Sequence, residues 1–284
     1  MEKFVIQGGV PLSGEITAAG NKNAALPILA ACLLTEEELV IANVPRIRDT
    51  EAQIALLADL GVETEWVEDN TIRLCAKNVK DTTLDEDLSA AIRASFLMAG
   101  PLLARFGEVH MPPPGGDFIG RRRLDAHLDA FRELGARIGG QRMIELNAPP
   151  GGLRAAEIFM DEPSVMGTEN ALMAAALIPG ETTILNAASE PHVQDLANLL
   201  VKMGAPISGI GSNVMVVSGQ DKLAGAEHTV TPDHIEIASF MALAAATGAE
   251  LRIRGVEPNA RIMLRRQLRR LGLHWVHRKV WVRR

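Results

Sequence analysis

The sequence predicts an α/β protein in which one supersecondary unit occurs four times. Four stretches with helical apolar periodicity end in a glycine and then run into a short strand-like segment. They are EAQIALLADLGVETEWV, RRRLDAHLDAFRELGARI, PHVQDLANLLVKMGAPI and PNARIMLRRQLRRLGLHWV. The glycines, Gly61, Gly135, Gly204 and Gly272, are spaced by 74, 69 and 68 residues. Because unrelated loops would not keep this register along the chain, the period indicates tandem copies of one unit.

A second segment repeats with the first and supplies the other half of each unit. It consists of a helix of small apolar residues, a turn and a β-rich run. The copies are AALPILAACLLTEEELVIANVP, IRASFLMAGPLLARFGEVHMPPP, ENALMAAALIPGETTILNAA and IASFMALAAATGAELRIRGVEP. Each unit therefore reads helix, strand, helix, strand. The first helix is apolar almost all round and is expected to be buried, whereas the second has a charged face and is expected to lie outside.

The composition is that of an ordinary globular protein. Hydrophobic residues make up 47% of the 284 residues and charged residues 23%, so the chain can bury a core large enough for two domains. No apolar run reaches the roughly 18 residues of a membrane span, and the N-terminus lacks a signal-peptide core, so we expect a cytoplasmic protein without a membrane partner. Cys32 and Cys75 are too few for a disulfide framework or a zinc site, and both are expected in the core.

The net charge of −6 conceals a basic C-terminal segment. No acidic residue follows Glu257, and nine basic residues lie between Arg261 and Arg284. Such a segment can bind nucleic acid or an anionic surface. The pattern favours the polar face of the fourth outer helix over nucleic-acid binding. A third interpretation is that HWVHRKVWVRR results from truncation or from a change of reading frame.

The segment GNKNAALPIL places Lys22 and Asn23 at the opening of a buried helix. The free N–H groups and the dipole of a helix start favour an anion, and a lysine there can bind phosphate. A lone lysine is otherwise an ordinary solvated side chain, but Gly20 and Asn21 form a sharp turn before this helix. Arg93 opens the next small-residue helix, where it is either a salt-bridge partner or a second anion-binding group.

A third polar segment, PPPGGDFIGRRRLDAHL, joins a stiff run of prolines to a tip flanked by glycines. The tip presents Asp117, followed by Gly120, Arg122 and Asp125. A carboxylate on a hinged lid beside arginines suits a general acid that enters a closing site. The same pattern also fits an ordinary surface loop.

Five segments, in this order and spacing, resemble the UDP-N-acetylglucosamine 1-carboxyvinyltransferases, enolpyruvyl transferases of peptidoglycan synthesis. They are KFVIQGGVPLSGEITAAGNKNAALPILAA, IRASFLMAGPLLARFG, PGGDFIGRRRLDAHL, DEPSVMGTEN and NAASEPHVQDLANLL. The resemblance runs from Met1 to about Gly272. The related enzymes that act on shikimate 3-phosphate share the fold, but the lid and the GNKNAALP opening resemble those of the nucleotide-sugar enzymes.

The resemblance implies an inside-out α/β barrel fold, with two lobes of three units each and the active site between them. On this pattern, residues 18–229 form a complete first lobe, and residues 1–17 with 230–284 form part of a second. Two further units, on the order of 140 residues, would be absent. We therefore expect the apolar helix of the fourth unit and its sheet edges to be uncovered.

The implied reaction transfers the enolpyruvyl group of phosphoenolpyruvate to the 3-hydroxyl of UDP-N-acetylglucosamine and releases phosphate. It needs no metal or organic cofactor. Three hypotheses stay open for this chain. It is a fragment of an active transferase, a catalytically silent module that binds nucleotide sugar, or a protein that gains the missing units by self-association.

The resemblance also assigns site residues by position. Lys22, Arg93 and Arg122 match a cationic ring around phosphoenolpyruvate, where fixed positive charge stabilises an anionic intermediate. Asn23 matches a residue near the reacting sugar hydroxyl. The nucleotide sugar is expected along two segments, which are Arg122, Arg123, Leu124, Asp125 and Ala126, and then Ser164, Val165 and Met166.

Besides Asp117, three positions depart from the pattern of the family. Arg123 stands where proline is usual, and Met166 stands where glycine is usual. Either change can move backbone N–H groups that should face ligand oxygens. In TPDHIEIASF, Asp233 matches the family, but His234 stands where arginine is commoner.

Asp117 occupies the lid position at which most members of the family carry cysteine, which is both the acid toward the substrate methylene and the thiol attacked by fosfomycin. A carboxylate is a much poorer nucleophile toward that epoxide than a thiolate. We therefore expect fosfomycin to leave the mass of the protein unchanged over time, while Asp117→Cys forms an adduct. Intact-mass spectrometry measures both. A fosfomycin adduct on Asp117 would contradict this expectation.

Overall fold

The structure is a computed structural model that describes residues 3–9, 12–116, 120, 123–256 and 262–272. The chain divides into two compact units. One is Gly20–Thr231, and the other combines both ends, Met1–Ala19 and Pro232–Arg284. These bounds lie close to the predicted lobe boundaries of 18–229 and of 1–17 with 230–284. The function of the units as two lobes of an enzyme stays a prediction.

The helices of the described residues follow the repeat. They are α1 (Lys22–Ala30), α2 (Arg48–Asp59), α3 (Glu86–Ala91), α4 (Ala99–Phe106), α5 (Asp125–Glu133), α6 (Val165–Ala176), α7 (Pro191–Lys202), α8 (His234–Thr247) and α9 (Ile262–Arg270). Two 3-10 helices, Ala31–Leu34 and Arg93–Met98, adjoin α1 and α4. Helices α1, α4 and α6 are the predicted small-residue helices, and α2, α5, α7 and α9 are the predicted outer helices.

The strands of the described residues are short. They are β1 (Ser13–Thr17), β2 (Leu39–Ala42), β3 (Glu63–Glu68), β4 (Thr71–Cys75), β5 (Glu108–Met111), β6 (Arg137–Gly139), β7 (Ile144–Asn147), β8 (Glu157–Phe159), β9 (Gly180–Leu185), β10 (Ile207–Ser208), β11 (Val214–Gly219), β12 (Ala226–Thr229) and β13 (Glu250–Arg254). Their sheet orders are β12-β2-β4-β3, β5-β7-β6, β8-β9-β11-β10 and β1-β13.

The sheets correct the predicted order of elements within a unit. Each outer helix α2, α5 and α7 is followed by an antiparallel pair, β3–β4, β6–β7 or β10–β11, rather than by one strand. In two of the sheets a further strand adds in parallel: β8, which directly precedes α6, lies beside β9, and β12, which is distant in sequence, lies beside β2. The pattern analysis missed strands such as β4 and β8 because they alternate buried with more exposed residues and lack the long apolar run that marks a buried strand.

Small residues allow the inner helices of Gly20–Thr231 to pack closely. Every residue of α1 from Ala24 to Ala30 is buried, as is every residue of α6 from Gly167 to Ala176. In α4, a Cβ atom on Gly100 would lie 2.6 Å from the backbone oxygen of Asn170 in α6, so only glycine fits this crossing. The expectation that the small-residue helices form the interior is confirmed for α1, α4 and α6.

The two cysteines lie in different environments. Cys32 is fully buried, and burial raises the pKa of its thiol. Cys75 is half-buried at the end of β4, with its sulfur 3.5 Å from the carbonyl oxygen of Glu36. The core prediction is therefore confirmed for Cys32 and is wrong for Cys75.

The unit made from both ends contains a helix that is apolar yet largely exposed. Asp233 caps α8 by accepting from the N–H groups of Ile235 and Glu236. Ile237 is buried, but Ile235 is 52% exposed and Leu243 is 42% exposed. The fourth small-residue helix thus differs from the other three, as the sequence led us to expect. Within the described ranges, no helix combines the length and apolarity needed to cross a membrane. Residues 273–284, which include much of the basic segment, lie outside these ranges.

Arg105 holds three carbonyl groups at the edge of the core. Its side chain is only 14% exposed, and its Nη1 donates to the carbonyl oxygens of Leu33, Thr35 and Ala76 at 3.0, 3.2 and 2.9 Å. Leu33 lies in the 3-10 helix after α1 and Thr35 directly follows it, whereas Ala76 directly follows β4. The guanidinium therefore joins the interior helices to the first sheet.

Arg105→Met is expected to lower the free energy of unfolding by roughly 2–4 kcal/mol, because three buried carbonyl oxygens lose their donor. Urea denaturation followed by circular dichroism measures this value. Arg132→Met is the matched control, since Arg132 is exposed and pairs with Asp129 on the surface, so its loss should cost about 0.5 kcal/mol or less. Equal losses for both variants would contradict the assigned role of Arg105.

Candidate functional site

A cleft of about 350 Å³ lies within Gly20–Thr231. It is lined by Arg93, Arg123, His127, Glu162, Ser164, Val165 and Met166. These residues come from three segments that are distant in sequence: the start of a 3-10 helix, the approach to α5 and the start of α6. Five of the seven were predicted as substrate-binding residues, and the structure brings those five together.

Two guanidinium groups lie at this cleft. Arg93 is the first residue of its 3-10 helix, and its Nη2 donates to the backbone oxygen of Arg123 at 3.0 Å. This bond ties the segment before α5 to the 3-10 helix. The Arg123 side chain is exposed, with Nε 3.2 Å from a carboxylate oxygen of Asp125. A planar guanidinium that never loses its charge is well suited to bidentate binding of phosphate oxygens.

The start of α6 adds backbone donors to the same cleft. Ser164 caps the helix: its side chain accepts from Gly167 N at 3.2 Å, and its carbonyl accepts from Thr168 N at 2.9 Å. The first N–H groups of a helix have no partner within the helix. In this described segment, the groups of Val165 and Met166 therefore remain available to a ligand. Together with the helix dipole they favour an anion.

His127 is a neutral member of the lining. Its ring is buried against Phe96 in an edge-to-face contact with centroids 5.0 Å apart. Burial, and secondarily the positive charge of Arg93, lower the pKa of His127 to about 3. The imidazole therefore adds no positive charge at neutral pH, but it can offer one donor or one acceptor.

Glu162 brings a negative charge to the cleft. Its side chain is exposed, and its backbone oxygen accepts from Ser164 N at 2.6 Å. A carboxylate here opposes an anion and suits a hydroxyl or N–H donor of a ligand. Neither Glu162 nor His127 was predicted, although both lie inside or beside the segments that carry the resemblance. His127 lies in the first turn of α5 and Glu162 lies shortly before α6, and this closeness to a helix start could have identified both residues from the sequence.

The start of α1 corrects one part of the sequence analysis. The side chain of Asn21 accepts from Asn23 N at 2.8 Å and from Ala24 N at 3.3 Å. The chain's own cap therefore occupies N–H groups that were expected to be free for an anion. Asn21 is itself held by its N–H bond to the Thr231 oxygen at 2.8 Å. An anion at this helix start would rely on the side chain of Lys22.

Lys22 and Asn23 do not belong to the described lining of the cleft. The Lys22 ammonium lies 2.5 Å from a carboxylate oxygen of Asp49, at the start of α2, and both side chains are partly exposed. Asn23 is exposed. An incoming anion would have to compete with Asp49 for the lysine.

The remaining predicted residues lie around α5 or outside the described ranges. Leu124 caps α5 through its backbone oxygen, which accepts from His127 N at 3.0 Å. Asp125 pairs with Arg123, and Ala126 packs against the core beside Gly167. None of these three lies in the described lining of the cleft. The predicted acid Asp117 and the predicted cation Arg122 lie outside the described residues.

One family profile and several curated proteins match most of this chain. The profile of the EPSP synthase (3-phosphoshikimate 1-carboxyvinyltransferase) family matches residues 6–284. A UDP-N-acetylglucosamine 1-carboxyvinyltransferase of Bradyrhizobium diazoefficiens is 53% identical over 251 residues, which are 88% of this chain and 58% of the relative. One from Treponema denticola is 50% identical over 97% of this chain and 64% of its own length. The chain thus spans about 60% of the curated relatives' length.

Solved structures confirm the predicted fold. The enolpyruvyl transferase NikO from Streptomyces tendae superposes with a TM-score of 0.80 at 23% identity, over 94% of this chain and 63% of its own. An EPSP synthase from Acinetobacter baumannii has a TM-score of 0.73 at 21% identity, over 93% of this chain and 60% of its own. The predicted completeness of each lobe stays a prediction.

The carboxylate of Glu162 repels an anion in the cleft, and inorganic pyrophosphate can test this repulsion. Glu162→Gln is expected to raise the affinity for pyrophosphate roughly 2–5-fold at low salt, and less at high salt, because an exposed repulsion is removed. Isothermal titration calorimetry measures the affinity. Glu181→Gln on β9 makes the same charge change outside the lining and should have no comparable effect. An unchanged or weaker affinity in Glu162→Gln would contradict the assigned position of the anion.

Proposed function

The chain belongs to the EPSP synthase (3-phosphoshikimate 1-carboxyvinyltransferase) family, and on this premise we propose that it carries the nucleotide-sugar site of an enolpyruvyl transferase acting on UDP-N-acetylglucosamine. The observation that carries this proposal is the cleft in which Arg93 and Arg123 lie beside the start of α6. Relatives at 53% and 50% identity are named for this substrate. Because the chain spans only part of their length, the complete reaction is proposed for the whole protein.

The diphosphate is the part of the nucleotide sugar that fits the cleft best. Its oxygens would accept from the guanidinium groups of Arg93 and Arg123 and from the N–H groups of Val165 and Met166. Glu162 would accept from a hydroxyl or N–H group of the sugar or base. Since the charges of Arg93 and Arg123 exceed that of Glu162 in the described lining, the cleft retains a net attraction for an anion.

The proposed reaction proceeds in two steps. The sugar 3-hydroxyl loses its proton and forms a C–O bond to C2 of phosphoenolpyruvate, while the methylene carbon C3 takes up a proton. A proton then leaves C3, the C2–O bond to phosphate breaks, and inorganic phosphate departs. We assign Asp117 as the acid toward C3, Lys22, Arg93 and Arg122 as cations for phosphoenolpyruvate, and Asn23 as a partner of the reacting hydroxyl. Leu124, Asp125 and Ala126 support the nucleotide-sugar segment.

The proposal also covers location and assembly. We place the protein in the cytoplasm, where phosphoenolpyruvate and nucleotide sugars are made. Self-association and a catalytically silent binding module stay alternative predictions. Turnover separates them, since a silent module would bind the nucleotide sugar without releasing phosphate from phosphoenolpyruvate.

Arg93→Gln is expected to weaken the binding of UDP-N-acetylglucosamine to this chain about 10–100-fold, because a charge-assisted hydrogen bond is lost. Calorimetry at low salt measures the affinity, with UDP as a competitor for the diphosphate part. Arg142→Gln is the matched control, since Arg142 is 83% exposed and pairs with Glu86 away from the cleft. Equal affinities in both variants would contradict the assignment of Arg93.

The same samples test the substrate and the reaction. Displacement of UDP-N-acetylglucosamine by shikimate 3-phosphate at a lower concentration than by UDP would favour the other substrate of the family. Phosphate release from phosphoenolpyruvate and UDP-N-acetylglucosamine would show that the 284-residue chain is active. Binding without phosphate release would support a nucleotide-sugar site whose catalytic partners lie elsewhere.

A further inference from the structure

The side-chain amide of Asn170 is buried behind the cleft and bonds to three elements. Asn170 has no exposed surface. Its Oδ1 accepts from Gly100 N in α4 at 2.9 Å, and its Nδ2 donates to the carbonyl oxygen of Phe96 at 2.9 Å. Nδ2 also lies 2.9 Å from Nδ1 of His127 in α5. The amide of Asn170 in α6 thus bonds to the 3-10 helix, to α4 and to α5. The 3-10 helix, α5 and α6 contribute residues to the cleft.

The backbone partners decide which atom of the amide is nitrogen. Gly100 offers only a donor, so the atom facing it must be the oxygen. Phe96 offers only an acceptor, so the atom facing it must be the nitrogen. Both partners require the same orientation. The amide nitrogen has two hydrogens, and with one on Phe96 the other points to His127.

This orientation decides the proton position on His127. An N–H group approaches its Nδ1, so Nδ1 must carry a lone pair. A neutral imidazole with a lone pair on Nδ1 carries its hydrogen on Nε2. An imidazolium would set a donor against a donor at Asn170. This conflict adds to the effects of burial and of Arg93, which already lower the pKa of His127.

The imidazole has a second nitrogen, Nε2, beside the one that faces Asn170. Nδ1 faces the fully buried amide, while His127 contributes to the lining. In the described part of the chain, the bond to Asn170 is the one hydrogen bond of the imidazole. The ring packs edge-to-face with Phe96 and is buried, which restricts its rotation. Its Nε2–H is therefore left to a group that occupies the cleft.

We propose that Asn170 is a positioning residue that fixes His127 as the neutral Nε2–H tautomer, so that His127 donates one hydrogen bond to an acceptor oxygen of the ligand in the cleft. The proposal rests on the proposed function, because it deepens the account of the same site. The ligand group is a phosphate or carbonyl oxygen of a nucleoside diphosphate compound, and not an N–H or hydroxyl donor. The cleft therefore selects a ligand that offers an acceptor oxygen at this point, and it does so without a third positive charge beside Arg93 and Arg123.

The tautomer is tested directly on the unsubstituted chain, labelled with ¹⁵N in histidine, without ligand at neutral pH. Long-range ¹⁵N–¹H correlation spectra are expected to show the proton of His127 on Nε2 and a lone pair on Nδ1. The signal of His127 is assigned by its loss in His127→Gln. Asn170→Asp replaces the donor by an acceptor and is expected to move the proton to Nδ1 or to give imidazolium. A proton on Nδ1 in the unsubstituted chain would overturn the proposal, as would an unchanged tautomer in a folded Asn170→Asp variant.

The donor is tested by binding of UDP-N-acetylglucosamine and of pyrophosphate, which does not depend on the folding of the Asn170 variant. His127→Leu removes the donor and is expected to weaken binding of one or both probes about 10-fold. His127→Gln can place an amide N–H near the position of Nε2 and should recover most of that loss. Equal binding by all three proteins would overturn the donor role of His127. If the unsubstituted chain binds pyrophosphate but no nucleotide sugar, the proposed function fails, while the spectra still decide the role of Asn170.

Discussion

The contact between Gly100 and Asn170 is the constraint on which the described fold of Gly20–Thr231 depends. The two buried helices approach until a Cβ atom on Gly100 would lie 2.6 Å from the Asn170 oxygen and 2.8 Å from its side-chain Oδ1. Buried helices at this distance leave no room for water, so the polar atoms between them must satisfy one another. The Asn170 amide does so by bonding to Gly100, Phe96 and His127. The close packing of α4 against α6 therefore also fixes the position of the cleft.

A second polar contact occurs in two of the repeated units. Asn43 and Asn186 follow β2 and β9, and both adopt a positive φ, of 57° and 55°. Their amide groups donate to the backbone oxygens of Val230 and Met160, each at 2.8 Å. Asparagine tolerates this conformation better than most residues, which explains its presence at both turns. Each bond ties the turn after β2 or β9 to the end of the parallel strand beside it, β12 or β8.

Burial shifts the pKa values of two groups near the cleft, Glu169 and His127, toward their uncharged forms. Burial raises the pKa of Glu169 in α6 well above its usual range, which favours the uncharged carboxyl. Burial lowers the pKa of His127 to about 3, so at neutral pH the imidazole is neutral and does not repel Arg93. Lys22 is paired with Asp49 on the surface, as Arg123 is with Asp125, but the cleft at the start of α6 also contains Arg93. The described electrostatics therefore favour an anion at the start of α6 over one at the start of α1.

The amino-acid pattern alone determined the repeat and the buried small-residue helices α1, α4 and α6, and it offered Arg93 as a salt-bridge partner or an anion-binding group, because periodicity and helix-start chemistry are local properties. It could not predict the paired strands β3–β4 and β6–β7, since half-exposed strands are stabilised by their neighbours rather than by an apolar run. The cap of α1 by Asn21 is also local, since Asn21 accepts from N–H groups two and three residues later. Only the tertiary structure decided that His127 is a neutral donor, because this depends on Asn170, 43 residues away along the chain, a contact that sequence spacing does not record.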